Sequence, residues 1–193
     1  MTKSRLEAFS DGVIAILITI MVLELKPPHE PTFLALGQQY PLYLSYVLSF
    51  INIGIYWNNH HHLYHHVKHI SGAVMWANLH LLFWLSLIPI TTAWAGEARF
   101  ASVPVAVYGL DLVCCAVAYT ILQACLVRAN GKDSEFAKAL GKDVKGKISV
   151  ATYVVAVPLA WVIPLASCIL FIAVALIWLV PDRRFEHIEI RKG

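Results

Sequence analysis

Charge is what this chain has least of. Asp, Glu, Lys and Arg make up 14% of its 193 residues, against 59% hydrophobic residues. Soluble domains carry about a quarter charged residues, so the deficit excludes an ordinary water-soluble domain and leaves an integral membrane protein with little mass outside the bilayer. The mean hydropathy of +0.65 agrees. Cysteine chemistry is missing as well. Cys114, Cys115, Cys125 and Cys168 all lie inside apolar runs, and none has the CxxC spacing of a metal or redox site. They read as small apolar packing residues. No internal repeat, low-complexity tract or second domain is visible. The first apolar stretch also lacks a small-residue cleavage site and runs on into Glu24, Leu25, Lys26, Pro27 and Pro28, so it reads as a retained segment and not a secretory signal. Nucleic acid is excluded as a partner, because the basic residues fall in membrane loops.

What is present in abundance is apolar sequence in lengths that suit a bilayer. A spanning helix needs about 20 apolar residues. Six stretches meet or approach that length, at about 6–25, 41–62, 71–95, 103–127, 148–163 and 165–181. The last two are the difficult pair. No charged residue occurs between Ile148 and Val180, and Pro158 and Pro164 interrupt the run, giving either one long kinked helix or two short ones turning at Pro164. Charge decides. Six spans with the N-terminus inside place 13 of the 15 basic residues in inner segments, leaving Lys26 and Arg99 outside, whereas five spans give 9 against 6. The positive-inside bias therefore predicts an all-α membrane protein, residues 1–193 forming one domain of six transmembrane helices with both termini cytoplasmic. The stretch 128–147, "RANGKDSEFAKALGKDVKGK", reads as a solvated cytoplasmic loop with a helical turn at Ser134–Leu140.

The first helix carries a pattern within its apolar run. Gly12, Ile16, Thr19 and Leu23 are spaced 4, 3 and 4 apart, with Ile20 beside them, which places them in one narrow seam. Any helix packed against neighbours shows such spacing. If several copies assembled around an axis, the same seam would form an apolar constriction of the kind that gates by dewetting, with Thr19 as its polar contact, Glu24 near the outer mouth and Asp11 near the inner end. Asp11 is costly in lipid, and intramembrane charges usually have partners or a function. Ser10 and Asp11 also suit the cap of a helix that starts after Phe9.

A dense histidine run, "YWNNHHHLYHHVKH", spans Tyr56 to His69. The pairs 61/65, 62/66, 65/69 and 66/69 share helix faces, a permissible spacing for zinc or haem iron, but no Asp, Glu or Cys lies within the run. Depth brings part of it level with the start of the first helix. Polar groups in lipid need partners, so Arg5, Ser10, Asp11, His60 or His61, and Asn78 are candidates for a network fixing the first helix against the second and third. Asp111, in the outer half of the fourth span, is too far from His80 to pair easily, and no partner for it is legible.

At these residues the sequence resembles the TMEM175 family of potassium channels. The hallmark Arg-x-x-x-Phe-Ser-Asp at the start of the first helix is similar to Arg5, Phe9, Ser10 and Asp11 here. Trp-x-x-His on the second helix matches Trp57 and His60, and an Asn followed by a Pro on the third matches Asn78 and Pro89. The resemblance implies a homotetramer of single six-span units, the bacterial form, with the first helices lining the pore. It implies a passive, potassium-preferring cation channel in the cell membrane, the bacterial inner membrane, in contact with lipid and passing K+ and other monovalent cations. It maps the constriction onto Ile16, Ile20 and Leu23, and potassium preference onto Thr19. Arg5, Phe9, Ser10, Asp11, Trp57, His60 and Asn78 then stabilise the pore helix. No TVGYG filter is expected and none occurs. No catalytic residue, resident metal or cofactor is implied. The histidine run after His60 exceeds the motif and is a candidate for a second role such as pH sensing. Two other classes compete with the channel: a membrane oxidoreductase binding metal through the histidine run, and a secondary transporter. For the transporter no inverted repeat or paired broken helices are evident.

Overall fold

The computed structural model describes residues 2–65, 67–141 and 143–179, which form helices and no strand. The order is α1 (Lys3–Met21), a 3-10 turn (Val22–Glu24), α2 (Phe33–Gln38), α3 (Tyr40–His65), α4 (Gly72–Leu85), α5 (Ile88–Glu97), α6 (Ser102–Asn130), α7 (Glu135–Leu140), α8 (Val144–Leu159) and α9 (Pro164–Leu179). Three elements are long and apolar enough to cross a membrane: Lys3–Glu24, Gly72–Glu97 and Ser102–Asn130. α1 runs unbroken through Ser10 and Asp11, so neither residue caps a helix.

The third predicted span, 71–95, is one crossing broken in two. Pro89 supplies no N–H to the carbonyl of Leu85 and its ring crowds that carbonyl, which opens the helix at Ser86 and Leu87. At the break the Ser86 hydroxyl donates to the Phe83 carbonyl at 2.6 Å, and α5 resumes with the Thr91 N–H on the Leu87 carbonyl at 3.1 Å.

α8 and α9 settle the choice between one kinked helix and two. Trp178 Nε1 donates to Ser149 Oγ at 2.8 Å, Tyr153 meets Phe171 with ring centroids 6.0 Å apart, and Ser167 Oγ donates to the Ala156 carbonyl at 2.8 Å. Those pairings run in opposite directions along the two helices, so they form an antiparallel hairpin turning just before Pro164. Residues 180–181 of the last predicted span, and the basic residues Arg183, Arg184, Arg191 and Lys192, lie outside the described residues.

α6 is the shared wall of two cores. On one side Leu122 and Leu126 join Leu6, Ile14, Ile53, Leu63, Leu81 and Leu85, contributed by α1, α3 and α4. On the other, Val105 and Leu112 join Tyr153, Ala156, Phe171 and Val174 of the α8–α9 hairpin. The stretch 128–147 is more than a solvated loop. The turn predicted at its centre is α7, capped where Ser134 Oγ accepts the Ala137 N–H at 3.1 Å. Phe136 from that turn is fully buried in the first core. Just before it, Asn130 fastens the α3–α4 turn: Oδ1 accepts the N–H groups of Lys68 and His69, both at 2.9 Å, and Nδ2 donates to the His69 carbonyl at 3.1 Å. Phe136→Ala should therefore cost roughly 3–5 kcal/mol, the range for buried phenylalanine truncations. Thermal denaturation of detergent-purified protein measures it. A midpoint within a degree of the parent would mean that the loop does not contribute to the core.

Candidate functional site

Local spacing divides α1 into two faces. Leu6, Ser10, Ile14, Leu17 and Met21 recur every three or four residues and are buried against α3, α4 and α5. The opposite face carries Gly12, Ile16, Thr19, Ile20 and Leu23, all exposed. Ile16 is 56% exposed, Ile20 41% and Leu23 73%. Packing among the described residues therefore does not account for the seam: they leave an apolar stripe of branched side chains without a covering helix. Within it the Thr19 hydroxyl donates to the Ile16 carbonyl at 2.9 Å. Its one proton is thus committed along the helix, on a residue that is itself exposed.

Towards the N-terminal end of the same helix a network of polar side chains crosses the bundle. Ser10 lies on the buried face and donates to the Leu6 carbonyl at 2.9 Å. Asn78 of α4 donates from Nδ2 to Ser10 Oγ at 2.8 Å. Asn78 Oδ1 then accepts twice, from His60 Nε2 at 2.8 Å and from the Tyr64 hydroxyl at 3.3 Å. Because Asn78 Oδ1 is an acceptor, His60 carries a proton on Nε2. Donation therefore runs one way, from α3 through Asn78 to Ser10 and the backbone of α1. His60, Asn78 and Ser10 are each no more than 2% exposed, so the network is dry. A second link lies one residue on, where Trp57 Nε1 donates to Asp11 Oδ1 at 3.0 Å.

Most of the expected network is brought together, and His60 takes the place for which His60 and His61 both competed. His61 is exposed, with its ring 6.4 Å from that of Trp57. Two residues stand apart. Arg5 is exposed without a side-chain partner among the described residues, and Phe9 is 48% exposed on the seam side. Tyr64 was missed, although its position four residues after His60 puts it on the same face and was the available signal. Lys3 was missed too; its Nζ donates to the His65 carbonyl at 3.1 Å. His80 belongs elsewhere, accepting the Trp84 Nε1 proton at 2.8 Å.

Asp111 does have a partner. The Thr91 hydroxyl lies 3.1 Å from its Oδ2, where the carboxylate competes with the Leu87 and Ile88 carbonyls for the one hydroxyl proton, and Cys115 Sγ lies 4.0 Å from Oδ1. In the histidine run no group of three or more His, Cys, Asp or Glu side chains converges as a metal site among the described residues. His66 lies outside those residues.

Comparisons with known proteins converge. Residues 5–89 match the family described as endosomal/lysosomal potassium channel TMEM175. A potassium channel of Chryseobacterium sp. (strain P1-3) is 51% identical over 186 residues, covering 96% of this chain and 97% of that protein. A potassium channel of Streptomyces collinus (strain DSM 40733 / Tue 365) is 41% identical over 136 residues, 66% of each chain. Among solved structures, the crystal structure of a lysosomal potassium-selective channel TMEM175 homolog from Chamaesiphon minutus superposes with a TM-score of 0.84 at 28% identity, covering 93% of this chain and 97% of that one.

Proposed function

The chain belongs to the TMEM175 family of channels, and from that premise we propose that it forms a potassium-preferring cation channel, passive and homotetrameric, whose pore is lined by α1. The observation that carries this reading is the uncovered seam. It joins Ile16, Ile20 and Leu23 to Thr19 on one exposed stripe that the described helices of the subunit leave open. Around a four-fold axis each of the three becomes a ring of branched side chains, narrow enough to expel water and so to close without a moving lid. Thr19 supplies a ring of oxygen lone pairs within that apolar stretch, since its proton is held by the Ile16 carbonyl. A partly dehydrated cation meets acceptors there and no donors.

The inner-end network serves the pore without touching the ion. Asn78, Ser10 and His60 fix the angular position of α1 on its own subunit, and Trp57 with Asp11 adds a second fastening. Arg5 and Phe9, both exposed on the subunit, stand where a neighbouring copy would meet them. The topology that goes with this function is the six-span one with both ends cytoplasmic, in the cell membrane, the bacterial inner membrane. The α8–α9 hairpin supports an even count, and the permeant ions are K+ and other monovalent cations.

The deciding experiment measures oligomeric state by light scattering and potassium flux in proteoliposomes on one preparation. A tetramer with fast, non-saturating flux supports the reading, and a monomer without flux overturns it. Selectivity has its own test. Thr19→Val removes the oxygen at nearly constant shape, and the ratio of potassium to sodium permeability should fall towards unity while total flux persists. A permeability ratio equal to that of the parent would remove Thr19 from the selectivity assignment.

A further inference from the structure

Between α3, α6 and α9 the subunit leaves a cavity of about 120 Å³ that the conduction of ions does not use. Leu48, Val105, Tyr108, Cys168, Phe171 and Ile172 are among its walls. Polar wall atoms are few, supplied by Ser45, Ser49, Asn52 and Tyr108. Ser49 Oγ lies 2.6 Å from Thr92 Oγ1 and 3.1 Å from the Tyr108 hydroxyl, and Ser45 donates to the Leu42 carbonyl at 2.9 Å. Among the described residues no buried side-chain polar atom lacks a partner. A polar ligand would thus lose its hydration against walls that are mostly apolar, with little beyond the Asn52 amide to replace it. An apolar one loses nothing and gains contacts across the void.

Size and access narrow the occupant further. The volume approaches the roughly 150 Å³ of an engineered apolar cavity that accepts benzene, so an apolar group of about that bulk fits. Leu44, Leu165 and Ile169 form the rim and are 45%, 67% and 58% exposed, with no charged group among the lining residues. α3 and α9, which carry that rim, are apolar helices of the bundle, so the mouth opens towards hydrocarbon.

We propose that this cavity is a lipid site, taking the end of a phospholipid acyl chain between α3 and α9 of each subunit. The chain end replaces the missing side-chain contacts of Phe171 and Ile172 and leaves the headgroup outside the protein. The site is independent of ion conduction, and its test reads no flux, so it stands or falls separately from the channel reading.

The full-length protein is reconstituted in phosphatidylcholine carrying a diazirine at the acyl-chain terminus, irradiated, and mapped by peptide mass spectrometry. Adducts are expected on Val105 and Phe171, which are 1% and 6% exposed and are unreachable from the lipid-facing surface. Ala175→Leu adds bulk to the cavity wall, and Cys168→Phe does so from another position on α9. Either folded variant should lower the buried adducts about tenfold and leave those on exposed Leu176 and Ile177 unchanged. Adducts confined to the rim and the outer surface overturn the proposal. So do buried adducts that both folded variants leave at the parent level. Complete protection of Leu44, Leu165 and Ile169 from label would show a second copy of the chain covering the mouth, and overturns it equally.

Discussion

Replacing Ile16 with Asn is expected to raise potassium flux into proteoliposomes at least about tenfold, with Ile16→Ala intermediate. The side chain is 56% exposed and belongs to the face of α1 that no helix of its own chain covers, so its removal takes little from the fold. An amide in its place holds water by hydrogen bonds, and a ring of amides keeps wet a segment that a ring of isoleucines dries. A tenfold change needs only about 1.4 kcal/mol off the barrier, less than the hydrophobic term of one buried isoleucine. The control is next along the helix. Leu17 is 7% exposed on the packed face, so Leu17→Asn should reduce stability without enlarging flux. Unchanged flux in both Ile16 variants, with assembly intact, would remove Ile16 from the gate.

Asn78→Ala is expected to be the most damaging polar substitution in the chain. It leaves two groups without their acceptor at once, His60 Nε2–H and the Tyr64 hydroxyl, and takes from Ser10 Oγ the donor it accepts while that hydroxyl keeps its bond to the Leu6 carbonyl. Each unsatisfied buried group costs roughly 1–3 kcal/mol, so the sum is several kcal/mol, comparable to the whole stability of a small domain. The expected result is loss of a monodisperse assembly, or a large fall in thermal midpoint with loss of flux. Ser10→Ala strips only one partner, leaves the bonds between Asn78 and α3 in place, and should be milder by about half or more. If Asn78→Ala matched Ser10→Ala in both readouts, the network would be an accessory to apolar packing and not the fastening of α1.

How much of this is written in the sequence follows from the range of the interactions. The seam of α1 was legible because Gly12, Ile16, Thr19 and Leu23 obey a local period, and a local period survives without any knowledge of neighbours. The meeting of Ser10, His60 and Asn78 was legible from depth alone, since the bilayer aligns helices that are distant in sequence. Thr91 as the partner of Asp111 was not. It depends on the direction that α5 takes after the break before Pro89, which no spacing rule supplies. Phe136 was invisible for a different reason: one aromatic residue in a polar stretch makes no periodicity, and its burial depends on where α7 lands. Arg5 marks the opposite limit, a residue the motif singles out but for which the described residues offer no side-chain partner.

The hydrogen bonds of α1 have a mechanical consequence. Those joining its side chains to the rest of the described chain leave from Lys3, Asp11 and Ser10, all in its inner half. Beyond them Ile14, Leu17 and Met21 supply only apolar contact, which resists separation but has no preferred direction. α1 is in effect a cantilever, clamped at the root and held elsewhere by a slippery wall. A small tilt or torsion at the clamp therefore grows along the beam and is largest at Ile20 and Leu23. A load applied near Lys3 or the histidine turn would be felt most at the far end of the helix.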